Sequence, residues 1–237
     1  MEADRLSNRY TGSSAEQYDS RRSGLAKWSR EQDVMARILS RFPRGTMVLD
    51  VPVGTGRFIE FYKQYGLRTI GVDVSADMLR QCEKKAIEHE YDMPLVRCSI
   101  VDLGLSDDCC EAVVCVRFLN WLEYEELTKA MAELRRVSRG HLVLGLRHVV
   151  PLAELGSYRV LRQTLMKIRR RFTKDGLVYH KKKEITAAFE VNGLTIEEQH
   201  CLEQRRDGTD YVFYLLKVND TKNTDDARRH DQGCPTV

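Results

Sequence analysis

The stretch VLDVPVGTGRF, residues 48–58, decides how the rest of the chain is read. Its apolar start is a buried strand, the strand ends on an acid, Asp50, and a loop with Gly54 and Gly56 follows. Glycine lets a backbone turn tightly and approach a ligand with no Cβ in the way. GRFIEFYKQY continues as a helix, and Gly66 stands where a left-handed C-cap belongs. RTIGVDV is then a second strand ending in another acid, Asp73. Strand, glycine loop, helix, strand and acid together predict a nucleotide-type cofactor site at the carboxyl ends of parallel strands.

Working outward, Ser75 is placed to N-cap a helix with Met78, Leu79, Cys82 and Ala86 inward. PLVRC, EAVVCVRF and HLVLGL read as three more strands, and Leu127, Ala130, Met131, Leu134 and Val137 mark a helix between the last two. On the N-terminal side, Leu25, Trp28, Met35, Ile38, Leu39 and Phe42 fall on one face of a helix that Pro43 and Gly45 end. Strand and helix alternate over residues 46–147, which predicts an α/β fold: a Rossmann-like doubly wound sheet with helices on both faces. Past Pro151 the rhythm changes. Leu155, Tyr158, Leu161, Leu165, Ile168 and Phe172 form one apolar helix face, while residues 157–183 carry ten Lys and Arg against one acid, Asp175. A short helix ending at Gly193 and the strands LTIEEQHCLEQ and DYVFYLLKV complete the expected seven-stranded sheet, mostly parallel with a C-terminal antiparallel hairpin strand. The Asp-Gly of RRDGT suits the hairpin turn. The expected organisation is a flexible arm over residues 1–23, one domain over 24–218 with a basic helical insertion or cap at 151–183, and a disordered tail over 219–237.

A net charge of +3 is too small to fix a partner class. No apolar run approaches the ~18 residues of a membrane span, and the polar, acid-bearing start MEADRLSNRY is no signal peptide. A cytoplasmic protein is expected. The seven cysteines include no C-x-x-C pair and no Cys/His cluster at ligand spacing, so no metal site is expected. Cys98 and Cys115 are read as core, and Cys109 and Cys110 as an exposed turn.

The loop's chemistry narrows the cofactor. A dinucleotide fingerprint wants glycine or alanine where this chain has Ile59. A carboxylate at Asp50 would repel a pyrophosphate and welcome a ligand bearing an ammonium group, such as S-adenosylmethionine. VLDVPVGTGRF, TIGVDVSADML and VRCSIVDLGLSDDCCEAVVCVRFLNWLE, taken in order, resemble the first four motif segments of the class I S-adenosylmethionine-dependent methyltransferases. The resemblance implies that Asp50, Val51 and the loop Gly54, Thr55, Gly56 hold the methionine part, and that Asp73 binds the ribose. It implies that Val74 lies against the adenine, that Ser99 and Ile100 sit at its edge, that Val116 and Arg117 flank the methionine end, and that Met78 is also a cofactor-binding residue. Three positions depart from the family pattern: Pro52 replaces the first glycine, Ser99 a frequent acid and Glu111 a frequent aspartate.

Methyl transfer from a sulfonium is an in-line displacement that depends mostly on alignment and water exclusion. A base is needed only where the acceptor must lose a proton first. His148, after the fifth strand, is the candidate catalytic base; His180, before a lysine run, reads as exposed. Tyr10, Tyr18 and Arg22 lie in an arm that folds over the cofactor in many relatives. Trp121 reads as packing. The expected reaction is methyl transfer to an oxygen or nitrogen of a small-molecule acceptor. The basic segment keeps other partners open: nucleic acid, such as tRNA, through phosphate contacts, or a lipid or quinone at an anionic membrane. A non-catalytic binding or scaffold protein on the same fold is the alternative of a different class.

Overall fold

The computed structural model describes residues 26–151, 177–205 and 208–219. The expected N-terminal arm, most of the basic insertion and the C-terminal tail lie outside the described residues.

Strand periodicity builds the core. β1 (Met47–Asp50), β2 (Arg68–Asp73), β3 (Leu95–Arg97), β4 (Cys110–Val116), β5 (Ser138–Val149), β6 (Leu194–Gln204) and β7 (Thr209–Val218) form one sheet in the order β3-β2-β1-β4-β5-β7-β6. The first five are parallel, and β7 runs antiparallel to both β5 and β6. The sheet is the one expected from the alternation.

Successive side chains on a strand point to opposite faces, and the core divides accordingly. Leu49, Val113, Cys115, Leu142, Leu144, Val212 and Tyr214 face α4 (Tyr124–Val137) and α5 (Lys182–Val191). Val48, Ala112, Val114, Val143, Phe213 and Leu215 face α1 (Ala26–Leu39) and α2 (Ile59–Tyr65). A smaller cluster of Val53, Ile59, Cys82, Ala86 and Met93 seats α3 (Ala76–Glu88) beside the glycine loop. Ser75 caps α3 by accepting the Met78 N–H at 3.3 Å, and Gly66 ends α2 in the left-handed region at φ 65°.

Several expectations are corrected. α2 begins at Ile59, not at Gly56, because residues 54–58 are spent on the turn. β5 runs to Val149 because β7 pairs with it from His141 to Val149, including His148 with Asp210. His148 therefore lies within the strand, not after it. His180 is buried, not exposed: the Val149 N–H bonds to its carbonyl at 2.8 Å, and its Nε2 lies 3.1 Å from the Leu122 carbonyl. Burial lowers its pKa. Cys110 opens β4 fully buried with Cys109 half-buried beside it, so the pair is no exposed turn. Cys98 is only partly buried, on the edge of the core. Glu111 takes a structural task, accepting the Met47 N–H at 2.7 Å and pairing with Arg139. Among the described residues no helix is long and apolar enough to cross a membrane.

Candidate active site

The carboxyl ends of β1, β2 and β4 open into one cavity, where a sheet of this kind takes its ligands. Its floor is the glycine loop. The Val51–Pro52 peptide is cis, and Val53 N–H bonds back to the Val72 carbonyl at 2.7 Å, so the loop turns over the end of β2.

The two glycines of the loop do different things. Gly54 sits at φ 57° with open space where a Cβ would go, on the cavity side. Gly56, at φ 74°, is closed in: a Cβ there would come within 2.4 Å of Ile59 Cδ1 and 2.9 Å of Cys82 Sγ. Gly56 lets α2 and α3 pack, and it does not line the cavity. Gly56→Ala is expected to lower the melting temperature clearly, by ~1–3 kcal/mol of stability. Gly54→Ala is expected to cost less fold stability and to act on ligand affinity; thermal melts of the two variants check the order.

Two buried acids line the cavity. Asp73 accepts the Gly54 N–H at 3.0 Å on one oxygen and the Ser75 N–H at 2.8 Å on the other, so it ties the loop to the start of α3. Burial raises its pKa against these bonds. Asp50 is 3% exposed and accepts the Tyr62 hydroxyl at 2.9 Å. Desolvation, opposed by that bond and reinforced by Asp73, pushes its pKa up to about 7.

The opposite wall is cationic and aromatic. Arg57 stacks over the Trp28 ring, 3.6 Å from its centroid, and donates to the Trp28 carbonyl at 3.2 Å. Arg57 and Arg117 both pair with Glu31, a fully buried carboxylate on α1; the Arg117 Nε to Glu31 Oε1 distance is 3.0 Å. Arg117 holds a left-handed backbone at φ 63°, fixed by its N–H to the Gly145 carbonyl at 2.8 Å. Phe118 and Trp121 complete this side, so Trp121 lines the cavity where the sequence suggested packing. Its neighbour Asn120 is buried. Asn120 donates to the carbonyls of Arg147 and Val178 and accepts the Arg147 N–H at 2.7 Å, which anchors the chain where it returns at Leu177–His180.

Of the residues singled out in the sequence, Asp50, Gly54, Thr55, Asp73, Val74, Met78, Val116 and Arg117 line the cavity together. Val51 and Ile100 do not; both turn into the core. Ser99 also lies off the cavity, its hydroxyl accepting the Val101 N–H at 3.4 Å in a turn that pairs Ser99 with Asp102. His148 is 2% exposed, with its ring centroid 6.3 Å from that of Tyr214, and does not line the cavity. Tyr10, Tyr18 and Arg22 lie outside the described residues. Sequence reasoning missed Glu31 and Arg57.

The comparisons with known proteins agree with this arrangement. Residues 48–140 match the family model described as a methyltransferase domain. The chain is 30% identical over 105 residues to the malonyl-[acyl-carrier protein] O-methyltransferase of Pectobacterium atrosepticum, covering 44% of this chain and 39% of that protein. It is 28% identical over 121 residues to the enzyme of the same name from Hamiltonella defensa, covering 51% and 43%. The match thus spans about two fifths of each curated relative's length. Among solved structures, magnesium protoporphyrin IX methyltransferase from Synechocystis PCC 6803, with bound SAM, superposes with a TM-score of 0.68 at 15% identity, over 92% of this chain and 98% of that one. That last likeness is one of fold. Residues 48–140, built on this sheet and this glycine loop, thus match a methyltransferase domain, and the fold is shared with a methyltransferase solved with bound SAM.

Proposed function

We propose that this protein transfers a methyl group from S-adenosylmethionine to an oxygen or nitrogen of a small-molecule acceptor. The observation that carries the reading is the pair of buried carboxylates, Asp50 and Asp73, lining the cavity beside the open side of Gly54. A pyrophosphate would meet two acids there. It would also find no helix start, since α2 begins five residues beyond Gly54. A ligand with a ribose and an ammonium group meets matched partners. In this reading Asp73 takes the ribose hydroxyls, and Val74 and Met78 flank the adenine. Asp50, Gly54 and Thr55 face the methionine end, with Val116 and Arg117 across from them. The cofactor supplies the electrophile, a methyl group on a sulfonium.

The acceptor side suits an acceptor that needs no base. Among the described residues lining the cavity there is no histidine, lysine, tyrosine or cysteine. The acids face the cofactor's expected place, and the arginines do not give up protons at working pH. Among the described residues, then, no lining group on the arginine side is suited to deprotonate an acceptor there. An acceptor that arrives as an anion, such as a carboxylate, needs no base. The curated relatives are named as O-methyltransferases, which supports the same choice.

Calorimetric titration with S-adenosylmethionine and S-adenosylhomocysteine, with NADH as control, tests the cofactor. The expected outcome is micromolar binding of both adenosyl ligands and none of NADH. In Asp73→Ala the affinity is expected to fall roughly 10- to 100-fold, the loss of hydrogen bonds to a charged group. NADH binding, or no adenosyl binding by folded wild type, would sink the reading.

A further inference from the structure

We propose that Phe118, Trp121 and Trp28 form the acceptor-binding wall of the cavity and that this wall selects an acceptor with a flat aromatic body. The proposal rests on the cofactor reading above and deepens it. Three observations carry it.

The first is where the large rings sit. The chain has two tryptophans, and both line this cavity. Phe118 and Trp121 belong to a 3₁₀ turn, Leu119–Trp121 with Phe118 as its N-cap, that follows β4. The turn buries Leu119, Asn120 and Leu122 and leaves Phe118 and Trp121 half-buried on the cavity. A segment that served packing alone would hide its large rings before its leucines, because the rings remove more apolar surface from water. The Trp121 N–H bonds to the Phe118 carbonyl at 2.8 Å. Side chains three apart in such a turn eclipse, so the two rings stand on one side of it.

The second is that the rings are held in advance. Asn120 ties the turn to Arg147 and Val178 through three hydrogen bonds, and His180 Nε2 lies 3.1 Å from the Leu122 carbonyl. Trp28 is fixed from α1: the guanidiniums of Arg57 and Arg117 lie 3.6 and 5.9 Å from its ring centroid, inside the range of cation–π attraction. A wall ordered before its ligand arrives gives up little freedom on binding it.

The third is position. β1 lies between β2 and β4 in the sheet. Asp73, Val74 and Met78, at and after the end of β2, put the ribose and adenine on one side of β1. The end of β4 is two strand spacings from them, about 10 Å, on the side of the methionine end. An acceptor in line with the sulfonium approaches there. Offset-stacked and edge-to-face contacts with the rings then favour a flat aromatic body over a puckered aliphatic one.

Calorimetry on protein saturated with S-adenosylhomocysteine tests the wall. The probes are 2-naphthoate and decahydro-2-naphthoate, which share a carbon skeleton and a carboxylate and differ in flatness. The variants are Trp121→Leu, Phe118→Leu and Trp28→Leu, which keep an apolar side chain, with Trp121→Phe as the conservative partner. Wild type is expected to bind the flat probe roughly 10-fold more tightly, the worth of one or two ring pairs. The preference should shrink to about twofold in Trp121→Leu, fall partway in Phe118→Leu and Trp28→Leu, and largely survive in Trp121→Phe. Affinity for S-adenosylhomocysteine should stay within about threefold throughout, since the rings lie away from the adenine and ribose; a merely structural turn would move all ligands together.

A flat-body preference that survives Trp121→Leu overturns the proposal, and a fall in S-adenosylhomocysteine affinity in that same variant would assign the ring to the cofactor instead. Equal binding of the two probes by wild type, or binding of neither, overturns it as well. Wild type that does not bind S-adenosylhomocysteine removes the cofactor reading, and the wall with it.

Discussion

Glu31→Ala is expected to be among the most destabilising single substitutions on the cavity side of the sheet, costing about 3–5 kcal/mol, the usual penalty for breaking a buried ion pair from one side. Glu31 is completely buried, and its carboxylate is the shared partner of Arg57 and Arg117. Without it, two neighbouring guanidiniums lose the carboxylate they share. Arg57 is the worse placed, since its side chain is nine-tenths buried and burial already lowers its pKa. For a domain of this size each kcal/mol corresponds to about 2–4 °C, so a melt should shift by on the order of 10 °C. The control is the triple variant Glu31→Leu/Arg57→Met/Arg117→Met. An apolar replacement of the whole cluster should recover most of the loss. If Glu31→Ala melts within a degree or two of wild type, the cluster is not the electrostatic unit described here.

Glu31 also shows how much of the site the sequence could reveal. Trp28, Met35, Ile38 and Phe42 were legible as a helix face by their spacing, and Glu31 falls on that same face, between Trp28 and Met35. A charge in the middle of an apolar stripe is a signal for a buried partner, and it was available. What the spacing could not supply was the partner. Arg57 follows the glycine loop and Arg117 follows β4, and only the topology brings them to one carboxylate. The sheet itself was legible because period-two strands, capped helices and glycine punctuation all agreed over residues 46–147.

The misplaced residues fail for long-range reasons. His148 looked like a loop residue because HLVLGL ends before it, but β7 extends the pairing through it. His180 looked exposed beside Lys181, Lys182 and Lys183, but the returning chain pairs with the end of β5 and carries it under Tyr124, 6.4 Å between ring centroids. Ser99 and Ile100 follow the short edge strand β3, where a local turn rather than the family pattern sets their direction. In each case the deciding contact lies far along the chain or in a turn, where composition carries little weight. Asp50 and Asp73 were legible because each ends a strand, and strand ends are where the fold gathers its chemistry.

Asp50→Asn is expected to make the folded protein more stable and the cofactor site worse. Burial raises the Asp50 pKa from an ordinary 3.8 to about 7. The folded state therefore holds a proton that the unfolded state has released, and stability contributed by the neutral carboxyl is lost as pH rises from about 4 through 7. A shift of that size corresponds to on the order of 4 kcal/mol by pH 8. Asparagine keeps an acceptor for the Tyr62 hydroxyl and cannot ionise, so the variant should melt higher than wild type at pH 8, with the difference shrinking steadily as pH falls towards about 4. Ligand binding should run the other way. An ammonium and a sulfonium favour the ionised carboxylate, so wild-type affinity for S-adenosylmethionine should strengthen from pH 6 to pH 8, and in Asp50→Asn it should be weaker and flat across that range. Calorimetry and melts at three pH values read both effects. A wild-type affinity that does not change with pH would mean that the carboxylate does not face the cofactor's cationic end. A variant that melts lower at pH 8 would mean that the buried charge is compensated in the fold. The expected combination, stability gained and affinity lost at one residue, is the signature of a buried acid kept for a cationic ligand and not for the fold.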